Sequence, residues 1–187
     1  MDKEDFTVVK KAAELLSSDI EKVTGKKVPV VHSAVKGNLI LIGSAEKSAG
    51  IRDLIRTGQL QAPRGWEEYR IKALKNRLII TGSDRRGTAF GVFEVSKQIG
   101  VSPWYWWADV PIKEKKHLYL NPALDLTDAP VVRYRGIFIN DEAPALSGWS
   151  REKFGGFNSK FYAHVFELML RLKANYLWPA MWGMPIT

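Results

Sequence analysis

The chain has 187 residues, 45% of them hydrophobic and 26% charged, a globular composition long enough for one full domain and part of a second. Zero cysteines exclude disulfides, thiolate metal sites and a cysteine nucleophile. The net charge of +8 comes from short basic pairs such as Lys10-Lys11 and Arg85-Arg86 set among acids, the pattern of a solvated surface rather than of a nucleic-acid stripe.

Phe6, Val9, Ala13, Leu16, Ile20 and Val23 recur at spacings of three and four, one face of a helix that Gly25 stops. Residues 28–31 and 39–42 are short apolar runs between turn residues and predict buried strands. A short helix is expected over 45–56, ended near Gly58, and then a β-hairpin of 68–73 and 77–81 about the turn Lys75-Asn76. A second long helix follows over 86–99, with Ala89, Phe90, Phe93, Val95 and Ile99 on its apolar side and Gly100 as its stop. Residues 117–120 read as a closing strand. This order describes a sheet covered by helices, an α/β sandwich-like domain over residues 1–126, with the proline- and aspartate-bearing NPALDLTDAP (121–130) as the boundary.

Beyond it, 131–139 is a nine-residue strand pattern ending in Asn140-Asp141-Glu142. Residues 158–173 follow as a helix with Phe161, Val165, Leu168 and Leu172 on one face, and 175–178 as a second strand. Strand, helix, strand of this length is a β-α-β unit with parallel strands. A (β/α)8 barrel takes about 250 residues, so residues 127–187 are expected to be the first β-α-β unit of a truncated barrel.

Barrels place reactive groups at the C-terminal ends of their strands, where the triplet Asn140, Asp141 and Glu142 falls. Two acids and an amide there can hydrogen-bond sugar hydroxyls or do acid/base work; Asp and Asn also simply end strands, and both readings stay open. Trp178, Pro179, Met181 and Trp182 fall at the end of the second strand, and aromatic faces suit the C–H surfaces of pyranose rings. Trp178 is assigned to the core and Trp182 to the site. Trp104, Tyr105, Trp106 and Trp107, between a helix and a proline, are expected to bury a joint between the domains, with Asp109 hydrogen-bonded there. Neither GxxxxGKS nor GxGxxG occurs, and His32, His117 and His164 are dispersed, which gives nucleotide and metal binding no support. No run nears the roughly eighteen apolar residues of a membrane span, and the start MDKEDFTVVKKAAELL lacks a signal-peptide core.

The runs SDRRGTAFGVFEVSKQIGVSPWYWWADVP (83–111), PVVRYRGIFINDEAPALSGW (130–149) and REKFGGFNSKFYAHVFELMLRLKANYLWPAMWG (151–183) resemble glycoside hydrolase family 115, the xylan α-1,2-glucuronidases. The resemblance implies an α/β domain ahead of a (β/α)8 catalytic barrel, removal of 4-O-methyl-glucuronic acid side chains from glucuronoxylan with inversion, and no metal or organic cofactor. It also implies a periplasmic or secreted protein that acts on xylan or glucurono-xylooligosaccharides, with a homodimer expected only in the full-length protein; the charge pattern and the lack of a long apolar run give neither nucleic acid nor membrane as a partner. Inversion needs an acid and a base roughly 6.5–9.5 Å apart. Both are expected beyond Thr187, so no catalytic residue is assigned here and the chain alone is expected to be inactive. Asn140, Asp141, Glu142 and Trp182 carry over as substrate contacts, with Glu142 positioning the uronic sugar; residues 184–187 depart from the family pattern. The alternative is a non-catalytic module that binds xylan through Trp178 and Trp182 or docks on a partner. Family 67 glucuronidases and family 20 hexosaminidases carry a comparable N-terminal domain, but NDEAP and WPAMW argue against both.

Overall fold

A computed structural model describes residues 1–32 and 37–179. The chain divides into two compact units, 1–131 and 132–187.

In the first unit, α1 (Thr7–Thr24) buries Val9, Ala12, Ala13, Leu16, Ile20 and Val23, the expected stripe widened by one alanine, and Gly25 ends it in the left-handed conformation at φ 70°. Strand β1 (Leu39–Ser44) leads into α2 (Ala49–Arg56), which starts later than the apolar pattern predicts because the Ser48 hydroxyl caps it by accepting from the Ile51 N–H. Strands β2 (Tyr69–Leu74) and β3 (Arg77–Gly82) form the expected hairpin, and α3 (Arg85–Ile99) ends at Gly100.

The sheet order is β1-β3-β2-β4, with β1 parallel to β3 and the other pairs antiparallel. Alternation along β3 shows how both faces are covered. Ile79 joins Ile51, Leu54 and Leu60 in a cluster under α2, whereas Ile80 and Tyr69 lie where a Cβ on Gly91 of α3 would touch them. The two helices α1 and α3 pack on each other. Lys115 ties their ends together, its N–H donating to the Val23 carbonyl and its ammonium to the Ile99 carbonyl at 2.7 Å.

Two strand expectations fail. Residues 28–31 are irregular, with Val28 and Val30 exposed. Pro29 has no N–H to give a ladder, and the carbonyls of Val28 and Val31 accept instead from the Ser17 hydroxyl and the Met1 ammonium. Residues 117–120 are likewise irregular, Tyr119 being 89% exposed. The edge beside β2 is taken by β4 (Asp125–Asp128), inside the segment read as a linker, and the 126/127 boundary falls within it. Polar bonds explain the choice. Arg70 grips both carboxylate oxygens of Asp125 at 2.7 and 2.8 Å, the Tyr69 hydroxyl donates to Asp128 at 2.9 Å, and the Ala73 N–H donates to the Leu124 carbonyl. Arg70 holds the Asp125 carboxyl below its ordinary range, and Asp125 in turn raises Arg70.

In the second unit, β5 (Gly136–Phe138) is three residues rather than nine, followed by α4 (Ala145–Phe154), α5 (Ser159–Arg171) and β6 (Tyr176–Trp178). The strands are parallel, as the sequence predicts. Two helices lie between them instead of one: Gly155, left-handed at φ 82°, ends α4, and the Asn158 side chain caps α5 by accepting from the Lys160 and Phe161 N–H groups. Phe161 is the centre of an edge-to-face cluster, its ring 5.0 Å from Phe157, 5.9 Å from Phe154 and 6.5 Å from Trp149. Among the described residues no helix is long and apolar enough to cross a membrane.

Candidate functional site

The β5–β6 pair positions the predicted triplet, and a polar lock at its N-terminal end sets the register. The Asn175 side-chain oxygen accepts from the Arg135 N–H at 3.0 Å while its amide donates to the Arg133 carbonyl at 2.8 Å. The Arg135 guanidinium donates to the Lys173 and Val132 carbonyls at 2.7 Å each. Gly136 is required next, since a Cβ there would lie 2.6 Å from the Tyr176 carbonyl oxygen. With the start fixed, Gly136 pairs with Tyr176, Ile137 with Leu177 and Phe138 with Trp178. A slip of one residue would turn each side chain to the other face.

At the C-terminal end the Ile139 N–H still donates to the Trp178 carbonyl at 2.9 Å, after which the chain leaves the sheet. Asn140 and Glu142 are exposed and Asp141 is buried at 3%. The Asn140 side chain accepts from the Glu142 N–H at 3.3 Å, a local turn that leaves the Glu142 carboxylate on the surface. Asp141 has a polar partner, as a carboxylate removed from water requires. The triplet is thus split, with two outward hydrogen-bonding groups and one inward carboxylate. Trp182 lies outside the described residues. Trp178, assigned to the core on sequence, is instead 52% exposed, and its ring meets Phe138 edge-to-face at 5.6 Å. The sequence singles out Trp178 at this strand end but not its partner Phe138; the available signal was the short polar segment after Phe138, which brings the strand end, and hence the surface, close.

Within the first unit, the SDRRGT segment forms a tight structural joint. Asp84 caps α3, accepting from the Arg86 and Gly87 N–H groups, and also accepts from the Glu67 N–H at 3.0 Å. Glu67 is fully buried with φ 52°, and Arg86 meets its carboxylate at 2.6 Å and stacks over Trp66 at 5.2 Å. Gly87 admits the Glu68 carbonyl, 2.5 Å from where a Cβ would stand. The neighbouring aromatic run is held locally: Lys22 sits 4.6 Å over the Tyr105 ring, Trp106 meets Trp107 edge-to-face, and Trp104 is 44% exposed. Among the described residues no three His, Asp or Glu side chains converge as metal ligands would.

The family model for glycosyl hydrolase family 115 matches residues 127–187. Among solved structures the chain is similar to a family GH115 4-O-methyl-α-glucuronidase, BtGH115A, with specificity for decorated arabinogalactans. That match has 32% identity and a TM-score of 0.86 over 97% of this chain and 24% of that one. It also shares its fold with a GH138 enzyme targeting pectin rhamnogalacturonan II, at 18% identity and a TM-score of 0.54, again over 97% of this chain and 24% of that one. The chain thus spans about a quarter of the length of the structures it matches. No curated protein matches it.

Proposed function

We propose that this chain, whose residues 127–187 match the model of glycosyl hydrolase family 115, is part of an α-glucuronidase that removes (4-O-methyl-)glucuronic acid side chains from a plant polysaccharide. The observation that carries the reading is the likeness to a solved α-glucuronidase over 97% of the chain at 32% identity.

In this reading β5, the two helices and β6 are the opening β-α-β portion of a (β/α)8 barrel, and the ends of β5 and β6 belong to the catalytic rim. Inversion would use one carboxylic acid on the leaving oxygen and one carboxylate on water, roughly 6.5–9.5 Å apart. We assign both to sequence beyond this stretch and infer that the 187 residues alone release no sugar. The part played here is binding: Asn140 and Glu142 offer an amide and a carboxylate to sugar hydroxyls, and Trp182 a ring. Asp141, the third member of the triplet, is buried between them. No cofactor enters the scheme.

Glucuronoxylan is the first substrate we assign. A decorated arabinogalactan is the second reading, favoured by the specificity of the solved relative. Chromatography of free sugars separates them. A protein extended to the length of that relative is incubated with each polysaccharide. Uronic acid from xylan supports the first assignment, and uronic acid from arabinogalactan alone supports the second. Neutral sugars with no uronic acid from either would overturn the α-glucuronidase reading.

A further inference from the structure

We propose that the outer edge of β1 is a docking site for one extended peptide strand, apolar in its alternate side chains and ending in a carboxylate that meets Arg77. This surface belongs to the first unit alone and is independent of the glucuronidase reading. Strand β1 is the last of its sheet, with β3 on one side only. The Leu39 and Ala45 N–H groups donate to the carbonyls of Asn76 and Gly82, at the two ends of β3, whereas the Ser44 N–H turns the other way, to the Asp5 carboxylate at 2.8 Å. Alternation along the strand then points the N–H and C=O groups of Ile40 and Ile42 outward. Neither residue has an outward hydrogen-bond partner among the described residues.

These groups open on a groove of about 640 Å³ rather than on bulk water, Ile42 being only 6% exposed. Ala13, Leu16 and Ile20 of α1 line it with apolar surface, together with Val28 and Val30. A cavity of that size with apolar walls and a few open hydrogen-bonding groups has the make-up of a ligand site. Backbone groups left unpaired away from water are costly. The occupant that relieves them supplies C=O and N–H groups at every second residue, which is what a β-strand does.

The chain's own residues 28–31 are already engaged: Pro29 has no N–H, and the carbonyls of Val28 and Val31 accept from the Ser17 hydroxyl and the Met1 ammonium. A second copy paired through the same edge would bring its own α1 and residues 28–31 to the seam, because a two-fold contact presents the same patch from both sides. A single strand brings neither. Charge sets its direction. Arg77, the register partner of Leu39, lines the groove and has no ion pair among the described residues, whereas Asp2, the one acid of the lining, already accepts from the Ala49 N–H at 3.1 Å. A strand antiparallel to β1 ends at Leu39, where its C-terminal carboxylate meets the Arg77 guanidinium.

Amide exchange followed by NMR on the 187-residue chain tests the edge, with a short peptide of alternating valine and threonine, acetylated at its N-terminus and free at its C-terminus, as the probe. In the chain alone Leu41 and Gly43, which face β3, should be protected, and Ile40 should exchange at least about tenfold faster. The peptide should protect Ile40 and Ile42 and leave Phe90 of α3 unchanged. I40P removes one outward N–H where an edge strand tolerates proline and should weaken binding about tenfold. N-methylation of the peptide amides that face β1 removes the same bonds from the other side, and carries the test if circular dichroism shows I40P unfolded. R77Q should erase a preference of about two- to fivefold for the free carboxylate over its amide; a preference that survives R77Q would overturn the Arg77 contact. No protection of Ile40 by excess peptide, or undiminished binding by folded I40P or by the N-methylated peptide, would overturn the docking site. Protection of Ile40 that rises with the concentration of the chain alone would assign the edge to a second copy and overturn it as well.

Discussion

Alanine should have opposite effects at two glycines of the first unit, because a Cβ meets very different neighbours at each. At Gly82, the last residue of β3, it would stand 2.1 Å from the Thr88 nitrogen, 2.4 Å from the Gly87 carbonyl carbon and 2.7 Å from the Thr88 Cα. All three are backbone atoms of the first turn of α3, so no side chain can swing aside. Relief requires moving strand and helix apart. That adds the strain of overpacking, about 1–3 kcal/mol, to a weakened Asp84 cap, about 1 kcal/mol. We expect G82A to cost about 3 kcal/mol. At Gly50, inside α2, the nearest atoms are the Leu41 methyls at 3.8 and 3.9 Å, ordinary contact. There G50A should gain about 0.5–1 kcal/mol by removing glycine from a helix. Hydrogen exchange of the Ile80 and Phe90 amides reads this unit directly. Since 1.4 kcal/mol is tenfold, protection should fall by about 100-fold in G82A and rise by about two- to fivefold in G50A. A G82A chain within about 0.5 kcal/mol of wild type would refute the claim that β3 and α3 are joined through backbone contact.

The Arg70–Asp125 pair predicts a pH-dependent edge. The Asp125 carboxyl is lowered in the folded state by its hydrogen bond to Arg70, so its contribution is complete above the unfolded carboxylate value of about 3.9 and is lost as pH falls through the lower folded value. D125N should therefore destabilise β4 at neutral pH by at most about 1 kcal/mol, the pair being partly exposed, and the difference should vanish in acid when urea unfolding is followed across pH. N175A removes two hydrogen bonds of the β5–β6 lock and should cost about 2 kcal/mol, read as faster exchange of the Ile139 amide with α5 unchanged. E142Q in the extended protein should lower kcat/KM by about 10- to 100-fold, the loss of a hydrogen bond to a charged group; an unchanged value would remove Glu142 from the site.

The long helices α1 and α3 are legible because their apolar spacing and their glycine stops agree, Gly25 and Gly100 both adopting the left-handed conformation. The strands that go astray do so because hydrophobicity is only half of what makes one. Residues 117–120 look apolar enough but pair with no strand, whereas the acidic Asp125–Asp128 becomes an edge strand through ion pairing with Arg70 and Lys72, a bond that no local pattern announces. Helix α4 escapes notice for a related reason. Ser150 is its one buried residue and Gly148 interrupts it, so it has no apolar periodicity to read. At the site, the spacing places Asn140, Asp141 and Glu142 just beyond the end of a strand, but only the backbone turn decides which of them faces outward. The exposure of Trp178 depends on where a three-residue strand ends, a boundary finer than periodicity resolves.

Real-time proton NMR of glucuronoxylan digestion by the protein extended to its relative's length tests the central claim most directly, because the anomeric signal reports bond, product and stereochemistry together. An inverting α-glucuronidase releases free 4-O-methyl-glucuronic acid first as the β anomer, before mutarotation, and none is expected from the 187-residue chain. Product appearing first as the α anomer would contradict inversion. Absence of any released uronic acid, from this xylan and from decorated arabinogalactan alike, would contradict the function itself.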